Sequence, residues 1–166
     1  MKKYSFLILI AFTTINFACA QAPKSPKIKS ESAVATVEYG QPSKRGRMIF
    51  GKEGSESLEK YGKVWRTGAN DCSAITFKKD VMFGGKAVKA GTYGLFTIPG
   101  ETEWTVILNS DAKQWGSYSY KADKDVVRVV VPATKSKEVV EALSLKVSDT
   151  SLNFAWDMTG FSVPIK

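Results

Sequence analysis

Leu143-Ser144-Leu145-Lys146-Val147-Ser148, followed after Asp149-Thr150-Ser151 by Leu152-Asn153-Phe154-Ala155-Trp156-Asp157-Met158, is the stretch that decides the fold. Apolar residues fall on every second position in both halves. Successive side chains of a β-strand point to opposite faces, so this alternation describes strands with one buried and one solvated face.

Working outward, the same kind of segment recurs at short intervals. Ala33 to Tyr39 is β-branched and aromatic, Met48-Ile49-Phe50 is a short apolar return, and Ser73 to Lys78 alternates. Val81-Met82-Phe83 and Lys86-Ala87-Val88 flank Gly84-Gly85, a two-residue hairpin turn of the kind that needs positive φ. Thr92 to Ile98, stopped by Pro99-Gly100, and Trp104 to Leu108 form a second hairpin, and Asp125 to Val131 is a strand closed by Pro132. Gly51 to Lys60 reads as a loop with room for one helical turn around Leu58-Glu59-Lys60, and Lys137 to Ala142 as either another such turn or the lead-in to a strand. No long amphipathic helix appears. The expectation is an all-β fold: a single antiparallel β-sandwich, jelly-roll or immunoglobulin-like, of about eight to nine short strands.

The chain opens with Met1-Lys2-Lys3, an apolar run from Phe6 to Phe12, and Ala18-Cys19-Ala20-Gln21. This is the pattern of a secretory signal over residues 1–20, cut before Gln21. A competing cut before Cys19 would leave that sulfur for lipidation and anchor the protein to a membrane, although Asn16 is a poor fit to such a site. Residues 21–31, rich in Pro, Lys and Ser, read as a flexible linker, and 32–166 as one domain. Lys2 and Lys3 belong to the signal; without them 22 basic residues face 16 acidic ones, a balance of about +6. The lysines are dispersed, which suits solubility and does not suit nucleic-acid reading. Cys72 is then the one remaining thiol, so no disulfide framework exists, and its apolar neighbours mark it as a small buried side chain.

The chain has no histidine. Ser-His and Cys-His nucleophile pairs and histidine metal sites therefore drop out, and one cysteine is too little for zinc; neither a metal nor a cofactor is expected. Phosphate-binding glycine loops with the required spacing do not occur either.

The densest cluster of functional groups is Tyr61-Gly62-Lys63-Val64-Trp65-Arg66-Thr67-Gly68-Ala69-Asn70. In a strand, Trp65 and Arg66 point to opposite faces, so a buried Trp65 turns Arg66 outward or into a cleft. Thr67 to Asn70 reads as a tight turn in which Gly68 can take positive φ. A second aromatic segment, Trp115-Gly116-Ser117-Tyr118-Ser119-Tyr120, offers rings among small polar residues, a combination suited to stacking on sugars or peptides. Trp115, like Trp104 and Trp156, could equally plug the core. Trp65, Arg66, Asn70, Trp115 and Tyr118 form the expected ligand surface, and Asp71 is the carboxylate a hydrolase would use with Arg66 and Asn70.

Tyr39-Gly40-Gln41-Pro42-Ser43, Lys44-Arg45-Gly46-Arg47, Ile49-Phe50-Gly51, the run from Tyr61 to Asn70, Ala90-Gly91-Thr92-Tyr93, Leu95 to Pro99, Glu103 to Ile107 and Trp115-Gly116 together resemble the secreted bacterial family called domain of unknown function 2911. The likeness runs from about Ser32 to the C-terminus. It departs where the family usually has Glu-Ala-Thr after the Asn and this chain has Asp71-Cys72-Ser73, which weakens a catalytic part for that carboxylate. The resemblance implies an exported envelope protein and no particular activity.

Three functions stay open on these residues: a non-enzymatic module of the periplasm or outer envelope that binds a glycan or peptide, a hydrolase, or an assembly partner for another envelope protein that presents a strand edge. An enzyme needs one pocket joining Arg66 to a carboxylate, a glycan binder needs an exposed aromatic platform, and an assembly module needs a bare edge.

Overall fold

The computed structural model describes residues 24–166, so the export signal read over residues 1–20 and the lipidation read at Cys19 lie outside the described residues. The described chain is all-β. Its strands are β1 (Lys27–Glu31), β2 (Ala35–Gly40), β3 (Phe50–Gly51), β4 (Glu59–Lys60), β5 (Ser73–Phe77), β6 (Val81–Phe83), β7 (Lys86–Val88), β8 (Gly91–Ile98), β9 (Glu103–Asn109), β10 (Asp125–Pro132), β11 (Thr134–Val147) and β12 (Ser151–Pro164).

β1, β2, β5, β8, β9 and β10 pair antiparallel, in that order, as a six-stranded sheet. β11 and β12 form a long antiparallel hairpin, β6 and β7 a short one, and β3 and β4 a parallel pair. The sheet is open: β1 and β10 are its two edges.

Alternation builds the core. Val37, Tyr39, Ile75, Phe77, Leu95, Trp104, Val106, Leu108, Val127 and Val129 come from one face of the sheet. They meet Leu143, Leu145, Leu152, Phe154 and Trp156 of the C-terminal hairpin in a single buried cluster. The stretch with the clearest period in the sequence thus covers the sheet. Within the cluster Trp65 stacks on Trp156 at 5.9 Å between ring centroids, and Phe50 meets Trp104 edge-on at 4.9 Å. Offset and edge-on pairs of this kind add to area burial because ring edges and faces carry opposite partial charge.

Three expectations change. The segment expected as a flexible linker contains β1, which pairs along its whole length with β2 from Lys27↔Gly40 to Glu31↔Thr36. An edge strand has solvent on one side and here on most of both faces, so its polar composition imitates a spacer. Leu58-Glu59-Lys60 makes no helical turn: β4 runs parallel to β3, and Lys60 Nζ binds the Ser57 carbonyl. Lys137 to Ala142 follows the second of its two readings, a strand lead-in: it lies in β11, where register shifts flank Val140↔Asp157. The strands number twelve among the described residues, because the long hairpin and the short ribbons extend beyond the apolar runs.

Candidate functional site

Chain geometry at Thr67–Asn70 sets the site. Thr67 has φ 56° and Asn70 φ 65°, so the left-handed positions are these two, whereas Gly68 was expected to take one. A β-branched residue in that region is strained, and strain of this sort persists only where surrounding bonds over-determine it. Here they do. The Thr67 hydroxyl donates to Thr97 Oγ1 at 3.1 Å, its carbonyl accepts from the Ser73 hydroxyl at 2.9 Å, and all three side chains are buried. Gly68 is needed for closeness: a Cβ there would sit 2.8 Å from Ser73 Oγ and 2.9 Å from the Gly40 carbonyl oxygen.

The turn holds three neighbours in place. Ala69 N–H donates to the Gly40 carbonyl at 3.0 Å, Gly116 N–H donates to the Asn70 carbonyl at 3.2 Å, and the Asn70 amide donates to the Ser25 carbonyl at 3.0 Å. Asn70 is therefore a brace for the segment leading into β1 and for the Trp115 loop.

A groove of about 820 Å³ lies on the outer face of the sheet. Its floor is Glu38, Ala74 and Thr92, residues that alternate with the inward Val37, Tyr39 and Ile75. One wall is Ala69 to Cys72 and the other is Ser110 to Trp115, which crosses above Gly94 so closely that a Cβ there would meet the Asp111 carbonyl oxygen at 2.7 Å. The walls are zipped at one end by the Asp71↔Trp115 bridge and by Cys72 N–H donating to the Gln114 carbonyl at 3.0 Å. Cys72 packs with Phe96 and Ile107 in a small apolar cluster on this face, and burial pushes its thiol pKa up.

A second cleft, about 450 Å³, opens on the opposite side of the turn. Lys24, Arg45, Arg47, Arg66, Glu59 and Trp156 are among its lining residues. Glu59 is half-buried; desolvation raises its carboxyl to a pKa of about 7, against the opposing pull of Arg66 and Lys60.

The structure divides the residues expected to form one ligand surface. Trp65 is 2 % exposed and belongs to the aromatic core, so it presents no ring to a ligand and instead supports the turn from below. Arg66, one residue on, faces the second cleft. Asn70, Asp71 and Trp115 line the groove. Trp115 is 55 % exposed, with Lys24 Nζ 5.7 Å from its ring centroid, so of the four tryptophans it is the one at the surface. Tyr118 is 87 % exposed on the same loop and lines neither cavity. Asp71 and Arg66 open to different cavities and form no ion pair, so a hydrolase using both has no common pocket in this arrangement; the carboxylate that shares a cavity with Arg66 is Glu59.

Glu59, Arg45 and Arg47 went unnoticed as site residues. Glu59 sits in a charged, glycine-containing segment that resembles any solvated loop, and the pairing of β4 with β3 that half-buries it is a non-local event. Among the described residues, no group of three His, Cys, Asp or Glu side chains could hold a metal ion.

No curated protein and no solved structure matches the chain. A family model described as Protein of unknown function (DUF2911) matches residues 22–165, which takes in the turn, both cavities and every strand, and the chain belongs to that family.

Proposed function

We propose that the protein is an exported, non-enzymatic binding domain of the bacterial envelope, and that its groove takes a glycan or a peptide. The observation that carries this reading is Trp115: a half-exposed indole at the rim of a groove of about 820 Å³ whose lining mixes Ala69, Cys72, Ala74 and Ala112 with polar and charged side chains. Ring faces contact the C–H surfaces of sugars or peptide side chains, while Asn70, Asp71, Asp111 and Gln114 supply donors and acceptors around it. Gln114 contributes an amide oxygen that is buried and without a hydrogen-bond partner, an acceptor poised for a ligand hydroxyl or N–H. In the proposed architecture the β11–β12 hairpin is the second layer of a sandwich, which leaves the outer face of the six-stranded sheet for recognition.

A glycan, peptidoglycan-fragment and peptide array probed with residues 21–166 tests the reading. Binding that disappears in Trp115→Ala, with the melting temperature unchanged, supports it. Arrays that stay blank, or binding that survives Trp115→Ala, would send the search to partner proteins at the β1 and β10 edges.

A further inference from the structure

The second cleft has an unbalanced charge. Lys24, Arg45, Arg47 and Arg66 line it against one carboxylate, Glu59. Among the described residues none of these four cations lies within ion-pair distance of a carboxylate; the ion pairs present use other residues. The Arg66 Nε is buried with no hydrogen-bond partner, an N–H removed from water and not yet given an acceptor. The carboxylates beside the loop that bears Arg45 and Arg47 do not line the cleft. Asp157 pairs with Lys44 at 3.0 Å, and Glu141 accepts from the Arg45 backbone N–H at 2.8 Å.

One of the cations, Arg47, is also held in place by hydrogen bonds. Arg47 Nε donates to the Lys44 carbonyl at 3.0 Å and Nη2 to the Ser43 carbonyl at 2.6 Å, which fixes the plane of its guanidinium. The loop bearing it is tied to the C-terminal hairpin by Lys44 N–H donating to the Glu141 carbonyl at 2.7 Å and by the Ser43↔Ala142 bridge. Arg66 reaches under the Trp115 loop, where a Cβ on Gly116 would lie 3.8 Å from its Nη1. Planar guanidinium groups with fixed orientation are suited to forked hydrogen bonds with oxyanions, and a fixed donor loses less entropy on binding than a free one.

From this geometry we propose that the cleft between Arg66, Arg47, Arg45 and Lys24 binds a small ligand through a multiply charged oxyanion group. Arg66 and Arg47 are the forked donors, and Lys24 and Arg45 supply charge at the mouth. Glu59 modulates the site. Burial keeps it neutral up to about pH 7, and in that form it offers one O–H donor; its ionised form opposes an anion. The cleft is a different cavity from the groove that holds Trp115, though the two share Ala69, and its assignment does not rest on the glycan or peptide proposed for that groove.

The test is calorimetric titration of the purified protein with sulfate and with succinate, with glucose as the neutral control, at fixed ionic strength in chloride. Saturable binding of one anion per chain is expected. Arg66→Gln and Arg47→Gln should each weaken it at least about tenfold, because each removes a charge-assisted donor. Lys137→Gln, an exposed cation on β11, should leave it unchanged. Sulfate affinity should fall as pH rises through about 7, where Glu59 ionises, and Glu59→Gln should remove that dependence. Tighter sulfate binding marks a phosphate-like ligand, and tighter succinate binding a carboxylate. Should Arg66→Gln not fold, Arg47→Gln on the surface loop decides. The proposal is overturned if neither anion saturates, or if Lys137→Gln loses as much affinity as Arg47→Gln, since that would be unspecific attraction to a basic protein.

Discussion

Gly40 and Ala69 approach so closely that a Cβ on residue 40 would stand 2.0 Å from the Ala69 carbonyl oxygen. Gly40 ends β2 and Ala69 belongs to the strained turn, so this contact is where the sheet grips the wall between the two cavities. The constraint is steric, since Gly40 does not have a positive φ. Gly40→Ala should cost about 3 kcal/mol of stability, the upper end of the range of about 1–3 kcal/mol for inserting a methyl into packed structure, because the atom it meets is backbone. Denaturant titration measures it; a midpoint equal to wild type would mean that the turn yields freely.

Trp65 and Trp115 should separate under the same substitution. Trp65→Ala empties the middle of the aromatic cluster and is expected to cost about 3–5 kcal/mol. Trp115→Ala removes a half-exposed ring and should change stability by no more than about 0.5 kcal/mol, while abolishing groove binding. Paired melts and array binding of the two variants check this; a badly destabilised Trp115→Ala would make that ring structural.

Glu59 gives stability a pH dependence whose direction is set by its raised pKa. Below its ordinary value of 4.5 the carboxyl is protonated in folded and unfolded chains alike and contributes nothing. Between 4.5 and about 7 the unfolded chain releases the proton that the folded chain keeps, so stability falls as pH rises, and above about 7 the loss is complete. Glu59→Gln should therefore gain on the order of 1–3 kcal/mol relative to wild type at pH about 8, and nothing at pH about 4. Urea unfolding at both pH values decides; a gain equal at the two would assign the effect to packing.

The Cys72 thiol is both buried and pushed up in pKa by that burial, and its Sγ lies 3.4 Å from the Ala112 carbonyl oxygen that it faces as donor. Reagents need the thiolate, so alkylation in the native state should run at least about a hundredfold slower than in denaturant. Equal rates in mass-spectrometric time courses would place the thiol in solvent.

Removing residues up to Glu31 deletes β1 and bares the edge of β2. A chain starting at Ser32 should lose about 1–3 kcal/mol, and dimers or aggregates should appear in size-exclusion chromatography, because an unpaired edge invites another strand. Stability identical to that of the longer chain would return the segment to the status of a spacer.

The legible part of this protein was the part governed by periodicity. β5 and the inner half of the C-terminal hairpin stand where alternation put them, because a strand with one buried face has no freedom to shift phase, and β8, β9 and β10 stand where apolar runs bounded by Gly, Pro and Asp put them. Gly84-Gly85 takes positive φ at both positions, as its turn chemistry requires. What the sequence did not disclose depends on pairing at a distance. β1 has one apolar residue, Ile28, packed against the core, too little to show a period. The two-residue strands β3 and β4 are too short to have one, and Glu59 becomes half-buried only through their pairing. At the site, the opposite facing of Trp65 and Arg66 follows from strand geometry. The division of Arg66 from Asn70, Asp71 and Trp115 does not, because it depends on which side of a strained turn each side chain leaves.

That turn is thin. Ala69 touches the space of both cavities, so one short turn stands between the Trp115 groove and the cationic cleft. Two occupants placed there would press on opposite sides of one peptide partition, whose ends are clamped at Gly40 and Ser73. Thermodynamic linkage then leaves no room for a one-way message: whatever factor the first occupant applies to the affinity of the second, the second must return to the first.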